Sequence, residues 1–335
     1  MKNPRTYLFT ILAIVVLVST VSCNRAAATP TPIIKPTDTP PPPTTTPWPT
    51  YTPLPTPHYP TRTPLPSSPT LTPAPTITPI PPNIKLGIDI PVRIMPMGDS
   101  ITEGVCDSAE NCNAPGMYTP ISGDGYGLNA CSWNLNQVNP KVVSYRASLR
   151  EKLLDIGLKF TYVGSISVTE GLAHEGHSAF TISDLDFCVQ NAGWLQEAQP
   201  NMILLHIGTN DAGWDHTPDK IAADLSQLLE HIYDQLPETT YVIVAQVIPL
   251  NSELREGFVK LSTLGNELLA QYNAKIPAVV DQFHKEGKNV FYVDMWGAVQ
   301  SDSDLYDGVH PIPAALERMA DIWFNKIVEI LTRKP

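Results

Sequence analysis

The sequence predicts an α/β domain: a doubly wound, flavodoxin-like sheet of five parallel strands with helices on both faces. Three observations carry this. Short apolar runs alternate along the chain with longer segments whose apolar residues fall at helical spacing. The runs are apolar throughout, as strands covered on both faces are. Once a compositionally distinct N-terminal part is set aside, residues 83–335 remain, about 250 residues, the size of one such domain.

The N-terminal part divides in two. Residues 1–23 read as an export signal: Lys2 and Arg5 precede an apolar run over 7–18, and small residues lead into Cys23. That run falls short of the ~20 apolar residues a membrane-spanning helix needs. Ser22-Cys23 after such a core resembles a bacterial lipobox, whose cysteine is acylated, although Thr20 stands where an aliphatic residue is usual. Residues 24–82 read as a Pro/Thr-rich disordered stalk. The stretch 29–82 holds 21 of the chain's 35 prolines and almost no charge, so it cannot bury a core and favours extended polyproline II. The expected location is therefore extracellular, anchored at the cell surface through Cys23 or released.

Within residues 83–335, strands are expected over 92–97, 160–163, 202–207, 241–247 and 290–293. Helices are expected over 144–156, 183–198, 218–235, 261–283 and 314–331. Five of the 22 basic and one of the 33 acidic residues precede Asn83, which leaves the domain 17 basic against 32 acidic side chains, a net −15. Such a surface excludes nucleic acid as a partner and suits a neutral substrate. Besides Cys23 there are four cysteines, Cys106, Cys112, Cys131 and Cys188. In an exported domain these suggest two disulfides in any of three connectivities, stapling the loop-rich stretch that holds the first three. Zinc is not expected, because the spacings are irregular and no Cys-x-x-Cys pair occurs.

Ligands of parallel α/β sheets sit outside the carboxyl ends of the strands, so residues following strands carry the information. After the first strand comes Gly98-Asp99-Ser100-Ile101-Thr102-Glu103-Gly104, where a serine at a strand-to-helix turn can present its hydroxyl. After the third comes Gly208-Thr209-Asn210-Asp211, whose Asn210 amide can donate to an oxyanion. Before the last helix lies Asp307-Gly308-Val309-His310-Pro311, in which an aspartate three residues ahead of a histidine can fix its tautomer. Each piece alone is ordinary turn or cap chemistry. Their occurrence together, in this order, resembles the block pattern of the SGNH (GDSL-type) hydrolases from about Val92 to Leu331.

The resemblance implies a serine esterase with Ser100, His310 and Asp307 as triad and no metal or organic cofactor. It also implies an oxyanion hole of the Ser100 amide, a second-block amide and the Asn210 side chain. The second block, His174-Glu175-Gly176-His177-Ser178-Ala179-Phe180-Thr181, resembles the E-G-H-S-G-W-T of members acting on carbohydrate esters, with Ala179 in place of the final glycine. Ala179 is acceptable as donor only with negative φ; Gly176 is the fallback. Within this block Gly176-x-Ser178 imitates a nucleophile elbow and His174-Glu175 the start of a zinc motif, but each lacks its final residue. His206, in an apolar strand, is expected to be a hydrogen-bonded core histidine. Trp214 and Trp133 are candidates for stacking on sugar rings. The reading that follows is deacetylation of polysaccharide outside the cell, with membrane contact only through the anchor. The alternatives are a lysophospholipase or general short-chain esterase, and a non-catalytic carbohydrate-binding surface protein.

Overall fold

The computed structural model describes residues 91–105, 131, 144–167, 169–214, 216–251 and 263–332. The export signal, Cys23, the Pro/Thr-rich stretch, Cys106, Cys112 and Trp133 lie outside the described residues.

In chain order the elements are β1 (Val92–Gly98), α1 (Ser100–Glu103), α2 (Arg146–Asp155), β2 (Phe160–Tyr162), β3 (Glu175–Gly176), α3 (Ile182–Asn191) and α4 (Trp194–Ala198). They continue with β4 (Met202–His206), a 3-10 turn (Asp211–Trp214), α5 (Pro218–Gln235), β5 (Tyr241–Ala245), α6 (Thr263–Asn273), α7 (Ile276–Lys285), β6 (Val290–Val293) and α8 (Pro313–Thr332). The sheet runs β2-β1-β4-β5-β6 with every pairing parallel. These five strands are the expected ones, in flavodoxin-like order. The sixth strand, β3, is two residues long. It pairs with the end of β1 at Met97 and Gly98, beyond the point where β2 stops.

Successive strand residues face opposite layers. Met95, Met97, Ile203, Leu205, Val242 and Val244 join one core with Leu185, Leu225, Leu229 and Phe283. Ile94, Leu204, Ile243 and Ala245 join the other with Leu149, Leu153, Trp323 and Ile327. Continuous apolar runs are therefore what the two-sided burial requires. Helix α5 shows how local signals agree with that packing. Thr217 accepts the Lys220 N–H (3.2 Å) as N-cap, Pro218 opens the helix, and Ile221, Leu225, Leu228, Leu229 and Ile232 form its buried stripe.

Two expected helices are each broken in two. The segment 183–198 divides at Gly193, whose φ of 74° ends one helix and opens the next. The segment 261–283 divides between Asn273 and Ile276, ahead of Pro277 in the first turn of α7. Hydrophobic spacing continues across both breaks because both halves pack on the same layer.

A disulfide joins Cys131 to Cys188 of α3, with Cα atoms 5.4 Å apart and a separation of 57 positions in sequence. It ties the loop-rich stretch to the helical layer. Closing a loop of that size restricts the unfolded chain by about 4 kcal/mol. Replacing both cysteines by serine should therefore lower stability by about 2–4 kcal/mol, read from the urea midpoint, and a reductant should move the wild-type midpoint equally. An unchanged midpoint would show that the bond contributes nothing.

Candidate active site

Ser100 is the first residue of α1, placed there by Asp99, whose Oδ1 accepts the Ile101 N–H (3.0 Å) as N-cap. Its Oγ lies 2.8 Å from His310 Nε2, and His310 Nδ1 lies 2.8 Å from Asp307 Oδ2. The other Asp307 oxygen accepts the N–H groups of Val309 (3.0 Å) and His310 (2.9 Å), so the loop closes on its own carboxylate. Burial pushes the Asp307 carboxyl up, but the His310 hydrogen bond and charge and those two N–H groups together hold it below its ordinary value. The chain is a serine hydroxyl, a base and an ionised carboxylate in line, which can move a proton from oxygen to the imidazole.

The second block forms a turn in which the Phe180 N–H reaches the His177 carbonyl (3.3 Å). Ala179 stands at its third position with φ 65°. The condition of negative φ is therefore not met: Ala179 adopts the left-handed conformation that a glycine would take there, at about 1–2 kcal/mol. The third N–H of such a turn makes no bond inside it, and no hydrogen bond is formed by this one among the described residues. The N–H of Gly176, the fallback donor, is directed at His174 Nδ1 (3.0 Å). Asn210 follows β4, and one N–H of its side-chain amide holds the Phe180 carbonyl (2.8 Å), leaving the other to donate.

Several residues that support these groups gave no separate signal in sequence. Glu103, 4 % exposed, accepts the Ser178 N–H (2.9 Å) and hydroxyl (2.5 Å) on one oxygen. Ser178 is therefore a donor in a buried cluster, not a nucleophile. Arg146 donates to the carbonyls of Thr102 (3.1 Å), Glu103 (2.8 Å) and Leu172, and burial lowers its pKa to about 10. It stands on the same buried stripe as Leu149 and Leu153, and a charge on an apolar stripe was the available clue. Glu175 accepts the Ser165 N–H and hydroxyl and pairs with His177 Nε2 (2.9 Å). The His177 ring is stacked between Phe180 and Trp194, at 4.9 and 4.6 Å.

His206 is in the core, but its ring differs from expectation: neither nitrogen has a hydrogen-bond partner among the described residues, and burial holds its pKa at about 4. His174, which also accepts the Gly176 N–H, is held neutral by burial. Asp211, His216 and Asp224 bring possible metal-ligand atoms within 4.8 Å of one another. There the Lys220 ammonium already lies on both Asp224 oxygens (2.9 and 2.6 Å), and the Ile182 N–H lies on Asp211 (3.1 Å). Trp214 ends the 3-10 turn after Asn210; its side chain, like Trp133, is outside what is described.

Residues 94–323 match the family model "GDSL-like Lipase/Acylhydrolase". A "Multidomain esterase" of Ruminococcus flavefaciens is 27% identical over 247 residues, 70% of this chain and 28% of that protein. A "Putative endoglucanase X" of Acetivibrio thermocellus is 29% identical over 141 residues, 41% of this chain and 54% of that protein. The chain thus spans about a quarter and about half of the two relatives. A solved "Clostridium thermocellum family 3 carbohydrate esterase" is 26% identical with TM-score 0.51, covering 72% of this chain and 98% of that one. A family 3 carbohydrate esterase from Talaromyces cellulolyticus, 21% identical with TM-score 0.51 over 73% of this chain and 100% of its own, shares the fold.

Asp99, beside the serine, is fully buried. Burial raises its pKa from 3.8 to about 6, against the Ile101 N–H, the Thr209 hydroxyl and the His310 charge, which favour the anion. Its Oδ2 completes no hydrogen bond among the described residues. A folded-state pKa above the unfolded one means stability that is fully present below about pH 4 and lost as pH rises through about 6. Two units correspond to about 3 kcal/mol. Asp99→Asn keeps an acceptor for Ile101, so it should be more stable than wild type by about 1–3 kcal/mol above pH 6, with the gap closing towards pH 4. Urea unfolding at pH 4, 5, 6 and 8 measures this; a gap independent of pH would mean that Asp99 is not a buried charge.

Proposed function

Because the chain belongs to the GDSL-like lipase/acylhydrolase family of carboxylic ester hydrolases, we propose that it is an extracellular serine esterase that removes acetyl groups from polysaccharide. The observation that carries this reading is the Ser100–His310–Asp307 chain, two contacts of 2.8 Å each. His310 Nε2 takes the Ser100 proton as Oγ attacks the acetyl carbonyl, and the tetrahedral oxyanion is met by the N–H groups of Ser100 and Ala179 and the Asn210 amide. His310 then returns the proton to the leaving sugar hydroxyl. Water, deprotonated by the same imidazole, releases acetate and restores Ser100. Asp307 holds the Nδ1–H tautomer and stabilises the imidazolium.

A carbohydrate ester as substrate is supported by the name of the 26% identical family 3 carbohydrate esterase, and by the E-G-H-S block shared with carbohydrate-ester-cleaving members. The secreted, Cys23-anchored location rests on the export signal and stalk composition. Stacking of Trp214 and Trp133 on sugar rings belongs to the same proposal. Acetate release from acetylated polysaccharides, beside p-nitrophenyl esters of rising chain length, tests it; preference for long acyl chains would favour a lysophospholipase instead.

Ser100→Ala should lower kcat by ~10³-fold or more, and Asn210→Ala by roughly 10²-fold with KM little changed. Ala179→Gly should keep or raise activity and raise the melting temperature by relieving the left-handed strain, whereas Ala179→Pro, which removes the N–H and cannot take positive φ, should be inactive. A folded Ser100→Ala variant keeping more than about a tenth of wild-type kcat would sink the mechanism. For the anchor, Cys23→Ala should shift the protein from the membrane fraction to the medium or block its processing; an unmodified mature N-terminus beyond Cys23 by intact mass excludes acylation.

A further inference from the structure

We propose that Glu103 is a positioning residue: its carboxylate clasps Ser178 and so holds the Ala179 N–H in register with the Ser100 N–H. The inference rests on the reading of Ala179 as an oxyanion donor. Ser100 and Glu103 are the first and last residues of α1, and the Glu103 N–H is bonded to the Asp99 carbonyl (3.0 Å). The main chain at Glu103 is therefore fixed relative to the nucleophile by a single helical turn. Its side chain reaches across to the second block, where Oε2 takes both the N–H (2.9 Å) and the hydroxyl (2.5 Å) of Ser178, the residue before Ala179.

Both ends of the clasp are rigid. At the Glu103 end, Arg146 donates to the carbonyls of Thr102 and Glu103, and Gly176 packs so tightly that a Cβ there would lie 2.4 Å from the Glu103 nitrogen. At the other end, the His177 N–H is bonded to the Gly98 carbonyl (2.9 Å) and its ring is stacked between Phe180 and Trp194. Between these fixed points Ala179 is held in a conformation an alanine does not choose, and the Ser178 contacts are what span the gap. A carboxylate suits the place because it only accepts, and two donors converge on it. Burial raises the Glu103 pKa, while the Ser178 hydrogen bonds, His177 and Arg146 favour its charged form.

The test uses the full chain, with kcat expressed per active site titrated by a phosphonate ester. Glu103→Gln should lower kcat about 10-fold or more, with KM within about 3-fold. Affinity for methylboronic acid, which forms a tetrahedral adduct on Ser100, should fall by a similar factor. Ser178→Ala loses only the hydroxyl contact and should lose less. The double variant should be no worse than Glu103→Gln alone, because both changes break one clasp. A purely structural role would lower the melting temperature and the titrated fraction, leaving kcat per site and boronate affinity intact. That pattern, or single losses that multiply, overturns the proposal. If Glu103→Gln does not fold, a folded Ser178→Ala with wild-type kcat and boronate affinity overturns it. A parallel Ser100→Ala separates the two layers: if it stays active the serine-esterase reading itself falls, and the clasp with it.

Discussion

Gly98, the last residue of β1, is paired in two directions at once, with His206 of β4 on one side and Gly176 of β3 on the other. That register brings the carboxyl ends of three strands to one point, and the residues that follow them carry Ser100, Ala179 and Asn210. Neither junction has room for a side chain: a Cβ on Gly98 would lie 2.0 Å from the His206 carbonyl oxygen, and one on Gly176 would meet the Glu103 nitrogen. The chain leaves β1 towards β2 in one direction and returns across it to β4 in the other. The site therefore occupies the switch point at which parallel sheets open a crevice. A shift of one residue in either pairing would separate the serine from its neighbours and turn the strand's side chains to the opposite layers.

What the strands bring together, buried carboxylates then fasten. Asp99 holds the Ile101 N–H, Glu103 that of Ser178, Glu175 that of Ser165 and Asp211 that of Ile182, and all four acids are 4 % exposed or less. Each receives a main-chain donor from a loop or helix start rather than from the sheet. Burying such groups is costly: raising the Asp99 pKa from 3.8 to about 6 corresponds to about 3 kcal/mol, more than the 1–2 kcal/mol of a left-handed alanine. The fold tolerates both at the same place. Loops outside a sheet have few backbone partners, and a buried acceptor with two lone-pair-bearing oxygens is a direct way to give them fixed geometry.

The parts of this arrangement legible in the sequence are those that depend on local pattern. Five apolar runs gave the five long strands, and α5 coincides with its expected span because N-cap, proline and stripe all agree. Strand β3 escaped because two residues carry no periodicity, and its existence depends on the partner Gly98. The helix breaks at Gly193 and ahead of Pro277 were masked by apolar spacing that runs on through them. At Ala179 the condition set on φ was the wrong one, since the turn closed by Phe180 dictates the angle and the side chain follows. His206 was placed correctly in the core but differs in its partner: at the crowded β1–β4 junction no donor or acceptor among the described residues reaches its ring.

The two halves of the site differ in how far their supports reach. The Asp307–His310 loop is closed by contacts two to four residues apart, with its own carboxylate on its own N–H groups and the Tyr306 N–H on the His310 carbonyl (2.8 Å). Most of that closure is local, which is why Asp-x-x-His can be read directly from sequence. The second-block turn has no such closure. It depends on Glu103, 75 residues earlier, and on Asn210, 30 residues later, and its one internal bond is the long 3.3 Å contact from Phe180 to His177. The Asp307–His310 half is thus closed mainly by local contacts, with one long-range bond from the Asn251 N–H to the Gly308 carbonyl (2.8 Å), whereas the Ala179 amide depends on two distant side chains. Substitutions at those distant positions act on the second half while leaving the hydroxyl, imidazole and carboxylate in line.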